Sequence, residues 1–386
     1  KYLLTMKIGA VGFGNRIAHI YFELKKINQE ADMVAFVDPQ PIGKKFAQSK
    51  NIFPAMKYKS LTDMLKAEKL DLLMIGSPNH LHLEHIKIGL EFGVKIFAEK
   101  PIVTDEKQTW ELAKLIKKYG KERVLVGLVL RYSQQARALR DLIKNDNLGK
   151  IISLEASEHI MPWHGGFFMR NWRRKNAYSG GFMLEKCCHD IDFYSMVVQS
   201  RPIRVASFGG RRSFTPENIP NESLEEFSKY NLEGWESKKD ILNSDADIVD
   251  HQVAIIEYEN GATLSFHTNM RVPDEFRRFA VIGTKGMVEG DFVRGYVRAH
   301  NASGKKIFDE NYGPAFGEET KGHYGADNLM LKDINDHLLS SNEKLPVNVY
   351  DCMEAGLVAM KIDESRLSNK IIDLTDTWKK LEDYKV

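Results

Sequence analysis

Short apolar runs alternate with amphipathic segments through the first third of the chain. The segment after the first run carries Ile17, Ile20, Leu24 and Ile27 at the 3.6-residue period of a helix. The predicted strands are Met6 to Val11, Met33 to Val37, Asp71 to Gly76, Lys95 to Ala98 and Arg123 to Leu130. Because strands that alternate with helices form parallel sheets, residues 1–130 are predicted to be a doubly wound α/β domain.

The pattern changes after residue 132. A predicted helix, Gln134 to Asn145, is followed by strand-like runs. These are Ile151 to His159, Ile203 to Phe208, His251 to Tyr258, Ala262 to Asn269 and Phe279 to Gly283. Asn260-Gly261 between two of them is a hairpin signal. The pattern predicts a second, α+β domain over residues 131–386 with a largely antiparallel open sheet, and a long loop or insertion at 214–246, which lacks a clear period.

Composition and charge narrow the class of protein. The 386 residues suffice for two domains, and 55 Lys+Arg against 53 Asp+Glu give no electrostatic reason to expect nucleic acid or a membrane surface as partner. The longest apolar run, Val124 to Leu130, is too short to span a bilayer, and the start of the chain lacks a signal-peptide pattern. Three cysteines, two of them adjacent, do not make a disulfide framework, so we expect a reduced cytoplasmic protein.

A glycine turn, GFGNRIA at 12–18, joins the first predicted strand to the first helix. Gly12 permits a tight turn, and Gly14 lets the backbone approach a pyrophosphate at the helix N-terminus. Ile17 stands where a dinucleotide fingerprint has a small residue, and an ordinary glycine turn is the alternative. The predicted cofactor-contacting residues of the turn are Gly12, Phe13, Gly14, Asn15, Arg16 and Ile17.

Asp38 follows the second predicted strand. A carboxylate there accepts hydrogen bonds from a ribose 2′-OH and repels a 2′-phosphate, which favours NAD over NADP. The alternative is an Asp that starts a turn before Pro39.

Two more strands end on polar residues at the edge where α/β sheets bind ligands. The predicted cofactor contacts there are Ser77, Pro78, Asn79, His82, Glu99 and Lys100. Lys100 lies where a substrate would lie, although adjacent Lys and Glu more often form a surface pair. His80, His82 and His85 lack a carboxylate or Cys to complete a metal site, so no metal is predicted.

A predicted helix, Phe182 to Gln199, follows Gly180-Gly181 and carries Glu185, His189 and Asp192 on one face. This face is either solvated or functional. The apolar residues around it predict burial, and buried ionisable groups need a reason.

Together these motifs resemble the Gfo/Idh/MocA family of glucose–fructose oxidoreductase and inositol 2-dehydrogenase. The matching stretches are GFGNRIA (12–18), Asp38, SPNHLH (77–82), Glu99-Lys100-Pro101, Arg131-Tyr132, GGFMLEKCCHDID (180–192), IGTKG (282–286) and GHYGAD (322–327). The resemblance implies an NAD-binding Rossmann domain over 1–130 and a substrate-binding and oligomerisation domain over 131–386. It also supports a cis Lys100-Pro101 bond and a homo-oligomer, dimer or tetramer, formed through the second sheet.

The resemblance assigns Lys100 as the active-site lysine and His189 as the proton-handling histidine. Glu185 stands where inositol dehydrogenase-like members carry Asp, so the substrate geometry need not be that of inositol. The expected reaction is NAD(P)-dependent oxidation of a secondary alcohol on a sugar, sugar derivative or cyclitol, with Lys100, His189 and Glu185 catalytic. The predicted substrate-binding residues are Arg131, Tyr132, Trp163, His164, Arg170, Trp172, Asp192 and His323.

Two alternatives stay open. One is a glycosidase of the same fold in which NAD oxidises the sugar transiently and the glycoside is eliminated. The other is a non-enzymatic sensor that binds NAD to regulate a partner, which the presence of both Lys100 and His189 disfavours.

Overall fold

The first part of the chain folds into a six-stranded parallel sheet flanked by helices. The structure, a computed structural model, describes residues 5–52, 56–220, 227, 234–313, 322–340 and 344–385. In chain order the elements are β1 Met6–Val11, α1 Asn15–Ile27, β2 Ala31–Val37, α2 Lys44–Ser49, β3 Met56–Tyr58, α3 Leu61–Ala67, β4 Leu72–Ile75, α4 His82–Glu91, β5 Lys95–Ala98, α5 Glu106–Tyr119, β6 Val124–Val126 and α6 Gln134–Lys144. The strand order β3-β2-β1-β4-β5-β6 reverses direction between β1 and β4, which confirms the doubly wound domain.

The rest of the chain builds a nine-stranded sheet with helices. Its elements are β7 Ile151–His159, α7 Pro162–Arg170, α8 Asn176–Ser179, α9 Phe182–Glu185, α10 Cys188–Val198, β8 Pro202–Gly210, β9 His251–Tyr258, β10 Thr263–Asn269, β11 Arg278–Gly283, β12 Gly286–Asp291, β13 Tyr296–Asn301, β14 Lys306–Asn311, α11 Ala326–Leu339, α12 Val349–Ser368, β15 Ile372–Asp373 and α13 Thr375–Glu382. The order is β14-β13-β12-β11-β7-β10-β9-β8-β15. The β7–β10 pair is parallel and the other pairs are antiparallel, so the predicted, largely antiparallel sheet is confirmed.

The second sheet leaves apolar side chains exposed on one face. Phe208, Ile255 and Ile282 belong to β8, β9 and β11 and are 71%, 49% and 43% exposed. Cross-strand pairing puts Phe208 opposite Val253 and Ile282 opposite Ser153, which places the three on the same side of the sheet.

The Asn260-Gly261 hairpin is confirmed, and other local predictions were wrong. The sixth strand ends at Val126 rather than Leu130, because its pairing with β5 stops there and the chain turns into a short 3-10 helix at Val129–Tyr132. The N-cap of α5 is Asp105, whose side chain accepts from the Gln108 N–H.

The predicted helix from Phe182 to Gln199 is two helices, α9 and α10, separated by Lys186 and Cys187. The backbone tightens there, since the Asp190 N–H donates to the carbonyl oxygen of Cys187, three residues earlier. Lys186 also makes an ion pair with Glu158 of β7, at 2.8 Å, which draws this part of the chain toward the sheet. A single helical face that joins Glu185 to Asp192 is therefore not formed.

The cysteines Cys187, Cys188 and Cys352 are buried and free. Within the described ranges, no helix is long and apolar enough to cross a membrane.

Ile17, the departure from the glycine fingerprint, is accommodated by a glycine on the neighbouring strand end. Its side chain is fully buried, and a Cβ built on Gly76 would lie 2.1 Å from Ile17 Cγ1. The third glycine of the fingerprint normally permits close packing of helix and strand. Here Gly76 supplies the missing space instead.

This packing predicts a coupled pair of substitutions. Gly76→Ala should destabilise the protein by about 1–3 kcal/mol through overpacking, and Ile17→Ala by about 2–5 kcal/mol through a cavity. In the double variant the methyl group introduced by Gly76→Ala would fill part of the cavity left by Ile17→Ala. Its loss of unfolding free energy should therefore be smaller than the sum of the two single losses by about 0.5 kcal/mol or more. Urea unfolding without cofactor measures all three variants.

The control is Gly14→Ala, because a Cβ at Gly14 meets nothing within 4 Å. It should lower stability by less than about 1 kcal/mol. If the losses of unfolding free energy in Gly76→Ala and Ile17→Ala simply add in the double variant, the proposed packing of Ile17 against Gly76 is contradicted.

Candidate active site

The glycine turn between β1 and α1 leads into a helix N-terminus, where backbone N–H groups have no partner within the helix. Gly12 has φ +80°, and a Cβ there would lie 2.2 Å from the Ser77 nitrogen, so the position requires glycine. Gly14 is the N-cap of α1, offers no side-chain cap, and is followed by a first turn without acidic residues. The open space beside Gly14 and the free N–H groups of Asn15 and its neighbours fit a dinucleotide pyrophosphate.

Asp38 lies directly after β2 at the same edge of the sheet. Its Oδ1 accepts from the backbone N–H of Gln40 at 2.7 Å. Partial burial raises the pKa of the carboxyl group above its ordinary value, although hydrogen bonds from Gln40 and Phe13 oppose this. The position is the one predicted to receive the ribose hydroxyls.

The predicted turn residue Arg16 bridges the two domains. Its Nε lies 2.8 Å from Glu99 Oε1, and its two terminal nitrogens donate to both carboxylate oxygens of Asp327 at 2.6 and 2.8 Å. Asp327 lies in the first turn of α11, far along the chain. Burial opposes the charge on Arg16, but the two carboxylates outweigh it and raise the pKa of the guanidinium.

Lys100 follows β5 closely, and its side chain contacts the second domain. Its Nζ donates to the backbone oxygen of Glu185 and lies 3.6 Å from Glu185 Oε2. The Lys100-Pro101 peptide bond is cis, which confirms that prediction. The structure therefore brings together two of the three predicted catalytic residues.

Arg173 holds the other oxygen of Glu185, at 2.8 Å, and was not predicted. Its guanidinium lies over the rings of Phe167 and Trp172, with centroid distances of 4.8 and 4.2 Å. Trp172, a predicted sugar-contacting residue, thus supports the arginine that positions Glu185.

His189 is buried, and neither ring nitrogen has a hydrogen-bond partner among the described residues. Burial, followed by the charge of Lys100 and the nearness of His323, holds its pKa well below the ordinary 6.5. The ring is therefore neutral near pH 7, and one nitrogen can accept a proton. Buried polar atoms left unpaired are costly, so a ligand hydroxyl is a natural partner for this ring.

Two other predicted histidines share this environment. The ring of His323 lies 5.4 Å from that of His189, centroid to centroid, and its Nδ1 lies 3.2 Å from both oxygens of Asp327. His323 adopts a left-handed backbone (φ 46°), which is unusual for a residue other than glycine. His164 stacks on Trp163, and burial and then the charges of nearby lysines hold its pKa well below 6.5.

A buried charge cluster lies behind these histidines, and sequence reasoning missed it. Arg277 makes ion pairs with Glu158 at 2.8 Å and with Asp190 at 2.6 Å, and Lys186 pairs with Glu158. The charge of Lys186 also lowers the pKa values of His164, His189 and His323. A lysine inside the apolar stretch around Cys187 and Cys188 was the available signal.

The remaining predicted substrate residues are engaged with protein groups. Arg131 donates to both oxygens of Asp192, at 2.8 and 2.6 Å, and also contacts Asp351. Tyr132 is buried, and Arg170 donates to the Phe227 carbonyl oxygen at 3.2 Å. Substrate contact by these residues stays a prediction.

The loop after β4 is tied to its neighbours. Both ring nitrogens of His82 lie 2.8 Å from carbonyl oxygens, those of Pro101 and Ser77. Asn79 donates to the Ser179 carbonyl oxygen at 3.1 Å. These contacts set the position of the loop that includes Pro78; whether its side chains contact cofactor stays a prediction. Among the described residues, no group of three or more His, Cys, Asp or Glu could hold a metal ion.

Comparison with known proteins finds relatives over nearly the whole chain. YteT of Bacillus subtilis, described as a candidate oxidoreductase, is 22% identical over 88% of this chain and 90% of its own length. A 2,7-anhydro-N-acetylneuraminate hydratase of Mediterraneibacter gnavus is 22% identical over 74% of this chain and 66% of its own.

Solved structures match the fold. Scyllo-inositol dehydrogenase from Lactobacillus casei, solved with NAD(H) and scyllo-inositol, gives a TM-score of 0.74 at 20% identity over 96% of this chain and 99% of its own. Myo-inositol 2-dehydrogenase from Lactobacillus plantarum gives 0.73 at 19% identity over 96% of this chain and 99% of its own.

Two family models match in succession. The model of the oxidoreductase family with an NAD-binding Rossmann fold covers residues 6–128, and the model of the GFO/IDH/MocA C-terminal domain covers residues 136–289. Both halves of the chain thus match the same family, in agreement with the motifs and the fold. The chain belongs to the GFO/IDH/MocA oxidoreductase family and carries its NAD-binding domain.

Proposed function

We propose that this protein catalyses the reversible NAD-dependent oxidation of a secondary alcohol on a sugar, sugar derivative or cyclitol. The observation that carries the proposal is the state of His189. Its imidazole is buried and neutral and has no hydrogen-bond partner among the described residues, and the charge of Lys100 helps to lower its pKa. A hydroxyl group that enters this site would satisfy the imidazole and be ready to lose its proton. The inositol dehydrogenase names among the relatives support this substrate class.

The residues divide the chemistry between them. When bound, NAD supplies the hydride acceptor. His189 accepts the hydroxyl proton, which a neutral imidazole can do at neutral pH. The ammonium of Lys100 stabilises the negative charge that develops on the oxygen, and its bond to the Glu185 carbonyl oxygen keeps it in place.

Glu185 is best suited to hold a neighbouring hydroxyl. Arg173 occupies its Oε1, and Oε2 has no hydrogen-bond partner in the part of the chain that the structure describes. A carboxylate oxygen fixed in this way accepts a hydrogen bond from a polyol with little loss of entropy. This assignment makes Arg173 a positioning residue.

A redox-neutral reaction is the second candidate, because His323 with Asp327 adds an acid–base group beside His189. Oxidation followed by elimination or hydration needs such a second group, and a hydratase is among the relatives. A screen of sugars and inositols for NADH formation, together with chromogenic glycosides, separates the two. Net NADH supports the dehydrogenase; release of an aglycone or water addition without net NADH supports the alternative.

We also propose that the protein is a homo-oligomer. The exposed apolar side chains Phe208, Ile255 and Ile282 share one face of the second sheet and suit a second copy of the chain.

NAD should bind more tightly than NADP, because the Asp38 carboxylate repels a 2′-phosphate and accepts from the 2′-OH. Asp38→Ser removes both effects and should narrow the gap by about 1 kcal/mol or more. Calorimetric dissociation constants for both cofactors measure this. Asp32→Ser, on the same strand, is the control and should leave the ratio unchanged; equal affinities in the unaltered protein would contradict the role of Asp38.

Lys100→Ala and His189→Ala should each lower kcat by about 10²–10⁴ while NAD affinity changes little, since both act on the reacting hydroxyl. Steady-state kinetics and cofactor titration measure the two effects. Lys95→Ala, at the start of β5, and His300→Ala, on β13, are matched controls and should retain activity. Near-normal turnover in His189→Ala would move the base role to Glu185 or His323.

The pH profile should report the neutral state of His189. The pKa of His189 in the folded protein lies below 6.5, so its neutral form persists to lower pH. The oxidation rate should therefore rise with pH along an acid limb whose midpoint lies below pH 6.5. Lys100→Ala removes a charge that lowers this pKa, so the limb in its residual activity should move to higher pH. An unmoved limb would show that Lys100 does not act on the proton acceptor.

A further inference from the structure

A segment of the predicted insertion, residues 234–246, is anchored to the second domain mainly by Arg174. Arg174 is fully buried; its Nε lies 2.7 Å from Asp245 Oδ1, and a terminal nitrogen donates to the Glu236 carbonyl oxygen. The backbone N–H of Lys238 donates to the Arg170 carbonyl oxygen at 2.8 Å. A buried guanidinium with these partners holds the segment in one position.

From this anchor Trp235 reaches the loop that follows β4. Its ring lies 5.9 Å from the ring of His80, nearly parallel to it, and 4.8 Å from the ring of Tyr178. His80 and Tyr178 lie 4.9 Å apart, so the three rings form one cluster. Trp235 still exposes 39% of its surface.

The adjacent residue reaches the loop that follows β2. A Cβ built on Gly234 would lie 4.0 Å from Ile42 Cδ1, and Ile42 exposes 39% of its surface. Ile42 lies a few residues after Asp38, and the backbone N–H of Gly43 donates to the Phe13 carbonyl oxygen of the glycine turn. Residues 234–235 therefore join the loops at the carboxyl ends of β2 and β4, on either side of the switch point.

We propose that Trp235, Ile42 and His80 form the adenine subsite of the cofactor, with Trp235 supplied by the second domain. The adenosine half of a dinucleotide lies at the carboxyl end of β2. Residues 234–235 lie beside this end, with Gly234 near Ile42 and Trp235 against His80 of the loop after β4. A partly exposed indole and isoleucine offer the flat apolar surfaces that a base requires. The second domain thereby closes over the cofactor, and release of NAD requires residues 234–235 to separate from Ile42.

Slower release of the cofactor follows from this closure. NAD(H) should dissociate more slowly than it would from a groove formed by the first domain alone. The proposal rests on NAD binding and not on the identity of the alcohol, so a failure of the proposed substrate class leaves it intact.

Trp235→Ala should raise the dissociation rate of NADH about tenfold, because base–aromatic stacking contributes on this scale. The rate is measured by mixing the NADH complex with excess NAD and following NADH fluorescence. Trp235→Phe should restore most of the slow release. Ile219→Ala is the control, since Ile219 is an exposed apolar residue of the same insertion, and it should change nothing.

Cofactor fragments locate the contact. Trp235→Ala and Ile42→Ala should each weaken the binding of ADP-ribose about as much as the binding of NAD. The binding of nicotinamide mononucleotide should not change. An unchanged NADH dissociation rate would overturn the proposal. An equal loss of affinity for nicotinamide mononucleotide would also overturn the proposal, because Trp235 would then affect the whole cofactor site rather than the adenine. Melting temperatures without cofactor, expected to match the unaltered protein, show that the variants fold.

Discussion

The guanidinium of Arg16 connects the parts of this molecule that must act together. It lies in the glycine turn and pairs with Glu99, next to Lys100, and with Asp327, which holds His323. Both carboxylates are largely buried, so without Arg16 they would be left as uncompensated charges. The glycine turn, Lys100 and His323 are thus held in one geometry by one side chain, and the proposed catalysis would depend on that geometry.

Burial of charge shapes the chemistry of the site as much as it stabilises the fold. Arg277 is fully buried between Glu158 and Asp190 and pairs with both, and Lys186 pairs with Glu158 at the edge of the cluster. Burial lowers the pKa values of His189, His164 and His323, and the charge of Lys186 lowers them further. A neutral imidazole in such surroundings can accept a proton at physiological pH, and in the proposed reaction the nearby Lys100 would favour the negative charge on the substrate oxygen.

The insertion extends the role of the second domain. Its described part is held by Arg174 and by Arg211, which donates to the carbonyl oxygens of Phe214, Leu242, Ser244 and Ala246. The described part of the insertion is thereby fixed to the second domain, with residues 234–235 beside loops of the first domain. With Trp235 against His80, the second domain would contribute to cofactor retention as well as to substrate binding.

The sequence by itself determined the features that depend on neighbouring residues. Strand and helix periods, the glycine turn at Gly12, the hairpin at Gly261 and the end of β5 at Ala98 all follow from local preferences. The motifs around Lys100 and His189 also indicated the family, and the structure brings Lys100 to Glu185 as expected.

Only the tertiary structure decided how distant charges pair. Arg16 and Asp327 are 311 residues apart in the chain, and no local period links them. For the same reason the sequence did not indicate that Arg131 is committed to Asp192, or that Arg173 holds Glu185. Ion pairs and close packing depend on which elements the topology brings into contact, and a linear pattern contains this information only indirectly.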